Sequence, residues 1–311
     1  MLPSRRSAQR AIVAPEVGRS ARDGVRFVGD GARAFLVVTD STADLTAEQA
    51  ASAGVEVVPL SVTFGDESFP DGVLGQAEFF RRMNAAPCLP TTSQPPIGAF
   101  VGAYERALAH AEEVVSVHIS SKLSGTFDSA RQAAERFSGR VHVFDSRNLS
   151  WGLAWQVLQA AESARAGLTS AAALERLALA REHCKLIVGL DSLDNLQKGG
   201  RIGRVGAFFG GLLNLKVTFT VAPDGAFVPL ARSRGDAAAM RSTMEWIAEQ
   251  MGSSTSGRFA VGHVMSLERA QWLRDQIAAR WTAIELVVYE AGSVIATHTG
   301  TGWGVAVLPE E

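Results

Sequence analysis

The sequence predicts an α/β protein of two domains: a three-layer α/β/α unit with a mainly parallel sheet, then a second α/β unit with a mixed sheet. Three observations carry this. The chain's 311 residues exceed what one hydrophobic core usually organises. From Ala34 onward, short β-branched runs alternate with amphipathic helical stretches, which is the pattern of βαβ units. After two long alanine-rich helical stretches that alternation gives way to closely spaced strands with a hairpin signal. The expected divisions are a flexible extension over residues 1–34, a first domain over 35–165 and a second over 166–311.

Ala34 to Thr39 reads as a buried strand, Thr46 caps a short helix that Gly54 ends, and Val55 to Leu60 is the next strand. Parallel pairing follows from a helix lying between the two strands. Val114 to Ile119 and Val141 to Asp145 are further strands, with a helical stretch from Thr126 to Phe137 between them. Leu149 to Ala166 and Ala171 to His183 are the long helical stretches. Lys185 to Leu190, Val217 to Val221 and Phe227 to Ala231 then read as strands, the last two joined by the turn Pro223-Asp224-Gly225 and so antiparallel. Phe259 to His263 and Glu285 to Tyr289 flank a helical stretch from Leu267 to Arg280. Val294 to Thr297 and Gly304 to Leu308 are expected to close the chain as strands.

Composition narrows the function. Hydrophobic residues make up 47% and charged residues 20%, the balance of a globular enzyme or binding protein rather than a disordered or fibrous one. A formal net charge of -2 provides no overall field for nucleic acid or an anionic membrane, so an anion must be held by local donors. Cys88 and Cys184 stand far apart with no CxxC pair, which points to neither a disulfide framework nor a metal site and fits a cytoplasmic location. The seven arginines against three acids in residues 1–34 offer a basic tail but no nucleic-acid motif, and Pro15 and Glu16 cut short any export signal. No run approaches the 18 or more apolar residues of a membrane span, so at most transient membrane contact is expected.

Four polar clusters fall where strands end and helices begin, the usual place for ligands in open α/β sheets. Thr39-Asp40-Ser41-Thr42-Ala43-Asp44 follows the first strand and by itself is also explained as a turn and cap. Thr91-Thr92-Ser93-Gln94-Pro95-Pro96 places three hydroxyls before a helix, where capping needs one. Ser120-Ser121-Lys122-Leu123-Ser124-Gly125-Thr126 combines hydroxyls, a helix start and a glycine that lets backbone approach an oxyanion. His298-Thr299-Gly300-Thr301-Gly302 sets an imidazole beside a glycine-rich turn. Neither GxxxxGK[ST] nor a GxGxxG that opens a helix after the first strand occurs, which argues against nucleotide binding by this chain.

Asp40-Ser41-Thr42-Ala43-Asp44-Leu45, Thr92-Ser93-Gln94-Pro95, Leu123-Ser124-Gly125-Thr126, Asp145-Ser146, Gly199-Gly200-Arg201-Ile202-Gly203 and His298-Thr299-Gly300 resemble the signatures of the DegV family, in the family's order. The resemblance spans roughly residues 35–308. It implies two α/β domains with a lipid tunnel between them, and a fatty-acid-binding protein that serves a separate bacterial fatty acid kinase supplying phospholipid synthesis. By that likeness a long-chain fatty acid is the only ligand and no metal or other cofactor is needed. Its carboxylate would meet Thr92, Ser93, Ser124, Gly125, His298 and Thr299, with Asp40, Ser41 and Thr126 in support. Arg201, with Arg232 and Arg234, would face the kinase, and the protein would hold the acyl phosphate product without itself being an enzyme. Two departures stand out: Lys216-Val217 where many relatives have Lys-Pro, and Trp303, which is expected to reshape the pocket.

Elementary energetics suit such a ligand. Each buried CH₂ contributes about 0.8 kcal/mol, so the tail supplies affinity, while a desolvated carboxylate requires several donors or a cation. A rival reading takes Ser124 as nucleophile, His298 as base and Asp40 as orienting acid of a serine hydrolase or esterase. Against it, no GxSxG elbow is present and three hydroxyl loops are more than one nucleophile needs.

Overall fold

The computed structural model describes residues 33–208 and 215–310. The extension expected over residues 1–34 therefore lies, up to residue 32, outside the described residues. In chain order the elements are β1 (Arg33–Asp40), α1 (Ala47–Ala53), β2 (Val55–Val58), β3 (Ser61–Phe64), β4 (Glu67–Pro70), α2 (Gln76–Ala85), β5 (Thr91–Ser93), α3 (Ile97–Leu108), β6 (Ala111–His118), α4 (Thr126–Ala134), β7 (Val141–Asp145), α5 (Ser150–Arg165) and α6 (Ser170–His183). They continue with β8 (Lys185–Leu190), α7 (Asp194–Lys198), β9 (Leu215–Val221), β10 (Phe227–Arg234), α8 (Asp236–Met251), β11 (Ser256–Val264), α9 (Leu267–Arg280), β12 (Thr282–Glu290), α10 (Ser293–Thr299) and β13 (Gly302–Pro309).

The first unit is a parallel sheet of order β2-β1-β6-β7, as the βαβ pattern predicts. Its order reverses between β1 and β6, so the loops after these two strands diverge and leave a crevice at their carboxyl ends. The second unit is a six-stranded mixed sheet of order β10-β9-β8-β13-β11-β12, in which only β11 and β12 pair in parallel. Gly225 at φ 88° makes the expected β9–β10 hairpin turn. Its carbonyl accepts the Ser120 hydroxyl at 2.8 Å, which pins the turn onto the loop after β6.

The two sheets share one core. Trp151, Leu153, Ala154 and Val157 of α5 pack between Phe35, Val37 and Val117 of the parallel sheet and Leu186, Phe219 and Ala306 of the mixed sheet. α5 is buried on all sides over residues 150–157, where the polar Gln156 is satisfied by the Ser146 and Gly152 carbonyls, and only its later turns expose Glu162 and Arg165. Phe100 and Tyr104 of α3 with Ala130 and Ala133 of α4 cover the far face of the parallel sheet. Met240 and Ile247 of α8 with Leu273 and Ile277 of α9 cover the far face of the mixed sheet.

Local signals hold where they are strong. Thr46 and Gln49 form a capping box on α1, and Gly54 at φ 69° ends it. One expectation fails: Val294 to Thr297 is not a strand but part of the helix α10. A short β-branched run does not by itself separate strand from helix. Here the helix start is fixed from elsewhere, the Gly292 N–H donating to Asp44 Oδ1 at 2.9 Å and the Val294 N–H to Asp71 Oδ1 at 3.1 Å. Four features went unread in the sequence: the small antiparallel sheet β4-β3-β5 and the helices α2, α7 and α8. β5 carries Thr92, so that small sheet delivers a site residue.

Candidate functional site

Buried polar contacts first fix the two loops at the strand-order reversal. The Asp40 carboxylate, fully buried at the end of β1, accepts from the Thr42 N–H at 3.1 Å, the Ile119 N–H at 3.0 Å and His118 Nδ1 at 2.9 Å. His118 continues through Ser116 to the Tyr104 hydroxyl, a buried chain that leaves Asp40 wholly committed to structure. Ser41 donates to Asp71 at 2.9 Å and accepts the Leu60 N–H at 3.1 Å. Ser124 Oγ lies 2.8 Å from the buried Thr126 hydroxyl and accepts the Thr126 N–H at 3.2 Å, so this pair opens α4.

Between the two units lies a pocket of about 470 Å³, its open mouth included. Thr92 and Ser124 enter from the first unit, Arg201, His298 and Thr299 from the second. Behind these polar groups the walls are Leu60, Ile119, Leu149, Phe227 and Ile295. A second chamber, of about 450 Å³ with its open surroundings included, lies beneath the mixed sheet, walled by side chains such as Leu186, Val188, Leu190 and Phe219. The two share Leu149, Phe227, Ile295 and Thr299, so they adjoin across common walls.

His298 is the centre of the polar end. Its Nε2 lies 2.7 Å from Thr92 Oγ1, while Nδ1 is buried with no hydrogen-bond partner among the described residues. A Cβ on Gly199 would stand 2.5 Å from that Nδ1, so only glycine lets the α7 end back onto the ring. Burial, and then the charge of Arg201, push the His298 pKa down to about 4. The imidazole is therefore neutral at physiological pH, and the formal charge at the mouth is that of Arg201. Arg201 donates to the Gly199 carbonyl at 2.7 Å, and among the described residues no carboxylate forms a salt bridge with it.

Thr92, Ser124, His298 and Thr299 are brought together as the sequence predicts. Ser93 is not among the pocket walls: it follows Thr92 on a strand, where side chains alternate, and is exposed. Gly125 serves by its missing side chain, since a Cβ there would lie 2.1 Å from Gln94 Oε1. Gln94 donates onward to Ser129 at 2.8 Å and so latches the Thr92 strand to α4, a role its place in the motif hinted at but did not specify. Arg201, expected at a partner surface, lies in the wall of the pocket mouth. Arg232 and Arg234 are exposed on the edge strand β10 and are not part of that wall. Trp303 does not reshape the pocket with its ring, which packs on the α8/α9 side of the sheet, donates to Thr243 and lies under Arg269. The hydrolase triad is not assembled, because Ser124 pairs with Thr126, His298 with Thr92 and Asp40 with His118.

Polar donors at one end of an apolar chamber define a pocket shaped for an amphiphile, set between two α/β units. The family model described as "Uncharacterised protein, DegV family" matches residues 34–310, and the chain belongs to that family. A DegV domain-containing protein of Deinococcus radiodurans is 38% identical over 88% of this chain and 98% of its own length. Among solved structures, a fatty-acid-binding DegV family protein of Thermus thermophilus superposes with a TM-score of 0.85 at 34% identity, covering 88% of this chain and 99% of that one. DegV of Bacillus subtilis, a fatty acid binding protein, gives a TM-score of 0.81 at 29% identity over 90% and 100% of the two chains. Among the described residues no helix is long and apolar enough to cross a membrane.

Proposed function

We infer that this chain binds a long-chain fatty acid, with the carboxylate among Thr92, Ser124, His298 and Arg201 and the tail running through the apolar chambers. The observation that carries the reading is that two mainly apolar chambers adjoin across Leu149, Phe227, Ile295 and Thr299, with Thr92, Ser124, His298 and Arg201 gathered at the first. Sixteen methylenes at about 0.8 kcal/mol each supply on the order of 12 kcal/mol. In the neutral tautomer that carries its proton on Nε2, His298 donates to Thr92 Oγ1 and leaves the Thr92 hydroxyl hydrogen for the carboxylate. Arg201 supplies the charge that a buried carboxylate requires. The acid binding of the Thermus thermophilus and Bacillus subtilis relatives supports the same reading.

The finer proposal is that the chain presents this carboxylate to a separate ATP-dependent fatty acid kinase in the cytoplasm and then holds the acyl phosphate. Arg201 at the mouth, with Arg232 and Arg234 exposed on β10, would meet the kinase or the new phosphate. Phosphoryl transfer itself would be the partner's chemistry, and this chain would not act as an enzyme. Native mass spectrometry of the purified protein, followed by extraction of anything bound, tests the binding. A stoichiometric fatty acid is expected. Protein that is empty and takes up neither added oleate nor palmitate overturns it. For the finer proposal, Ser124→Ala should weaken kinase-dependent phosphorylation of bound acid, and an unchanged rate would remove Ser124 from that role.

A further inference from the structure

The second chamber owes its space to a missing side chain. Three glycines, Gly262, Gly302 and Gly304, border it from the adjacent strands β11 and β13. Two of them have no room for anything larger. A Cβ on Gly262 would stand 2.4 Å from the Tyr289 ring, and one on Gly302 would stand 2.3 Å from the Gly189 carbonyl oxygen. Gly304 differs. A Cβ there would meet only ordinary contacts, the Ile187 carbonyl oxygen at 3.5 Å, Val188 Cγ2 at 3.8 Å and Leu186 Cδ1 at 3.9 Å.

Those contacts also give its direction. Leu186 and Val188 both line the chamber, so a side chain at position 304 would enter it. Gly304 and its register partner Val188 are each partly exposed although β13 and β8 are interior strands of the sheet, packed on both faces. Their exposure is to the chamber. Strand interiors disfavour glycine unless another group must approach closely. Here the backbone φ is not left-handed and no neighbouring side chain fills the place, so the fold itself does not explain it.

We propose that Gly304 is a specificity-determining residue for acyl length: its bare backbone admits the far methylenes of a long tail that has passed Leu149, Phe227 and Ile295 out of the head-group pocket. The inference rests on the acid-binding reading above. Short acids end before the second chamber and are indifferent to position 304.

The test is displacement of a fluorescent fatty acid from the full chain by palmitate and by octanoate, with Gly304→Val and Gly304→Ala compared to the unaltered protein. Loss of about three buried methylenes makes palmitate binding to the Val variant about fiftyfold weaker, and one methylene makes the Ala variant about fourfold weaker. Octanoate binding stays unchanged in both. Should the Val variant not fold, as its melting curve would reveal, the fourfold palmitate-selective loss in the Ala variant carries the test. Palmitate binding that survives either folded substitution, or palmitate and octanoate losses of equal size, overturns the role of Gly304. Unaltered protein that binds no acid overturns the acid-binding reading instead, and this inference falls with it.

Discussion

Replacing Thr92 by Val isolates the hydrogen bond at the centre of the polar end. Valine keeps the β-branched shape that β5 accommodates and exchanges only the hydroxyl for a methyl. Thr92 Oγ1 is the partner of His298 Nε2 at 2.7 Å, and Nδ1 already has none among the described residues, so the variant leaves a largely buried imidazole with neither nitrogen paired. An unmade buried hydrogen bond costs about 1–3 kcal/mol. For a protein of this size that corresponds to a fall in melting temperature of about 1.5–5 °C. Palmitate loses a donor to a charged group, worth about 1.5–3 kcal/mol, and should bind roughly ten- to a hundredfold more weakly. Hexadecanol loses a bond between neutral groups, about 0.5–1.5 kcal/mol, and should weaken by roughly tenfold at most. The assay is therefore the acid-to-alcohol affinity ratio by competitive displacement, with scanning calorimetry of the ligand-free protein beside it. Ser93→Ala, one position along and exposed, is the control and should change neither. A Thr92→Val variant with an unchanged melting temperature and an unchanged ratio would refute the claim that this pair organises the head-group site.

Arg201→Gln removes the charge that helps hold the His298 pKa at about 4, so NMR titration should show that pKa rising while burial keeps it below 6.5, with palmitate affinity falling about tenfold or more. Gly199→Ala would put a methyl 2.5 Å from His298 Nδ1 and 3.0 Å from the Asn195 carbonyl oxygen. It is expected to push the ring off Thr92 and weaken acid binding several-fold, and an unaltered His298 resonance would speak against that contact. Asp44 is raised from 3.8 to about 7, chiefly by burial, with hydrogen bonds from Ser150 and Gly292 partly opposing and Asp71 and Asp40 adding to the shift. A carboxyl with a raised folded pKa binds its proton more tightly in the native state, so its contribution is present below about pH 4 and lost as pH rises to about 7. Urea denaturation of Asp44→Asn should therefore show stability relative to the unaltered protein growing across that window and constant above it. A pH-independent difference would contradict the shift.

What was legible in the sequence and what was not divides along a physical line. Buried parallel strands such as β1 and β6 carry apolar runs rich in valine, and hydroxyls in excess of any capping need mark the loops beside them, so the parallel sheet and the hydroxyl-rich loops were readable locally, whereas the choice of Thr92 and Ser124 within them rested on the family resemblance. His298 was readable as a residue but not as part of a helix, because the carboxylates that start α10 come from Asp44 and Asp71, more than 200 positions away. A separation of 78 positions hid the partner of Asp40: a hydrolase needed it beside His298, and His118 holds it instead. Arg201 was readable as an exposed cation, which it is, but loop sequence carries no sign of which neighbour it folds against, so its donation to the Leu123 carbonyl beside the pocket mouth was not. The tail chamber was least readable of all. A charged head restricts its surroundings to few residue types, whereas methylenes are satisfied by the same leucines, valines and phenylalanines that fill any core. Leu186, Val188 and Phe219 carry no mark that separates a wall from a packed interior, and Gly304 differs from its neighbouring glycines only in what its absent side chain would meet.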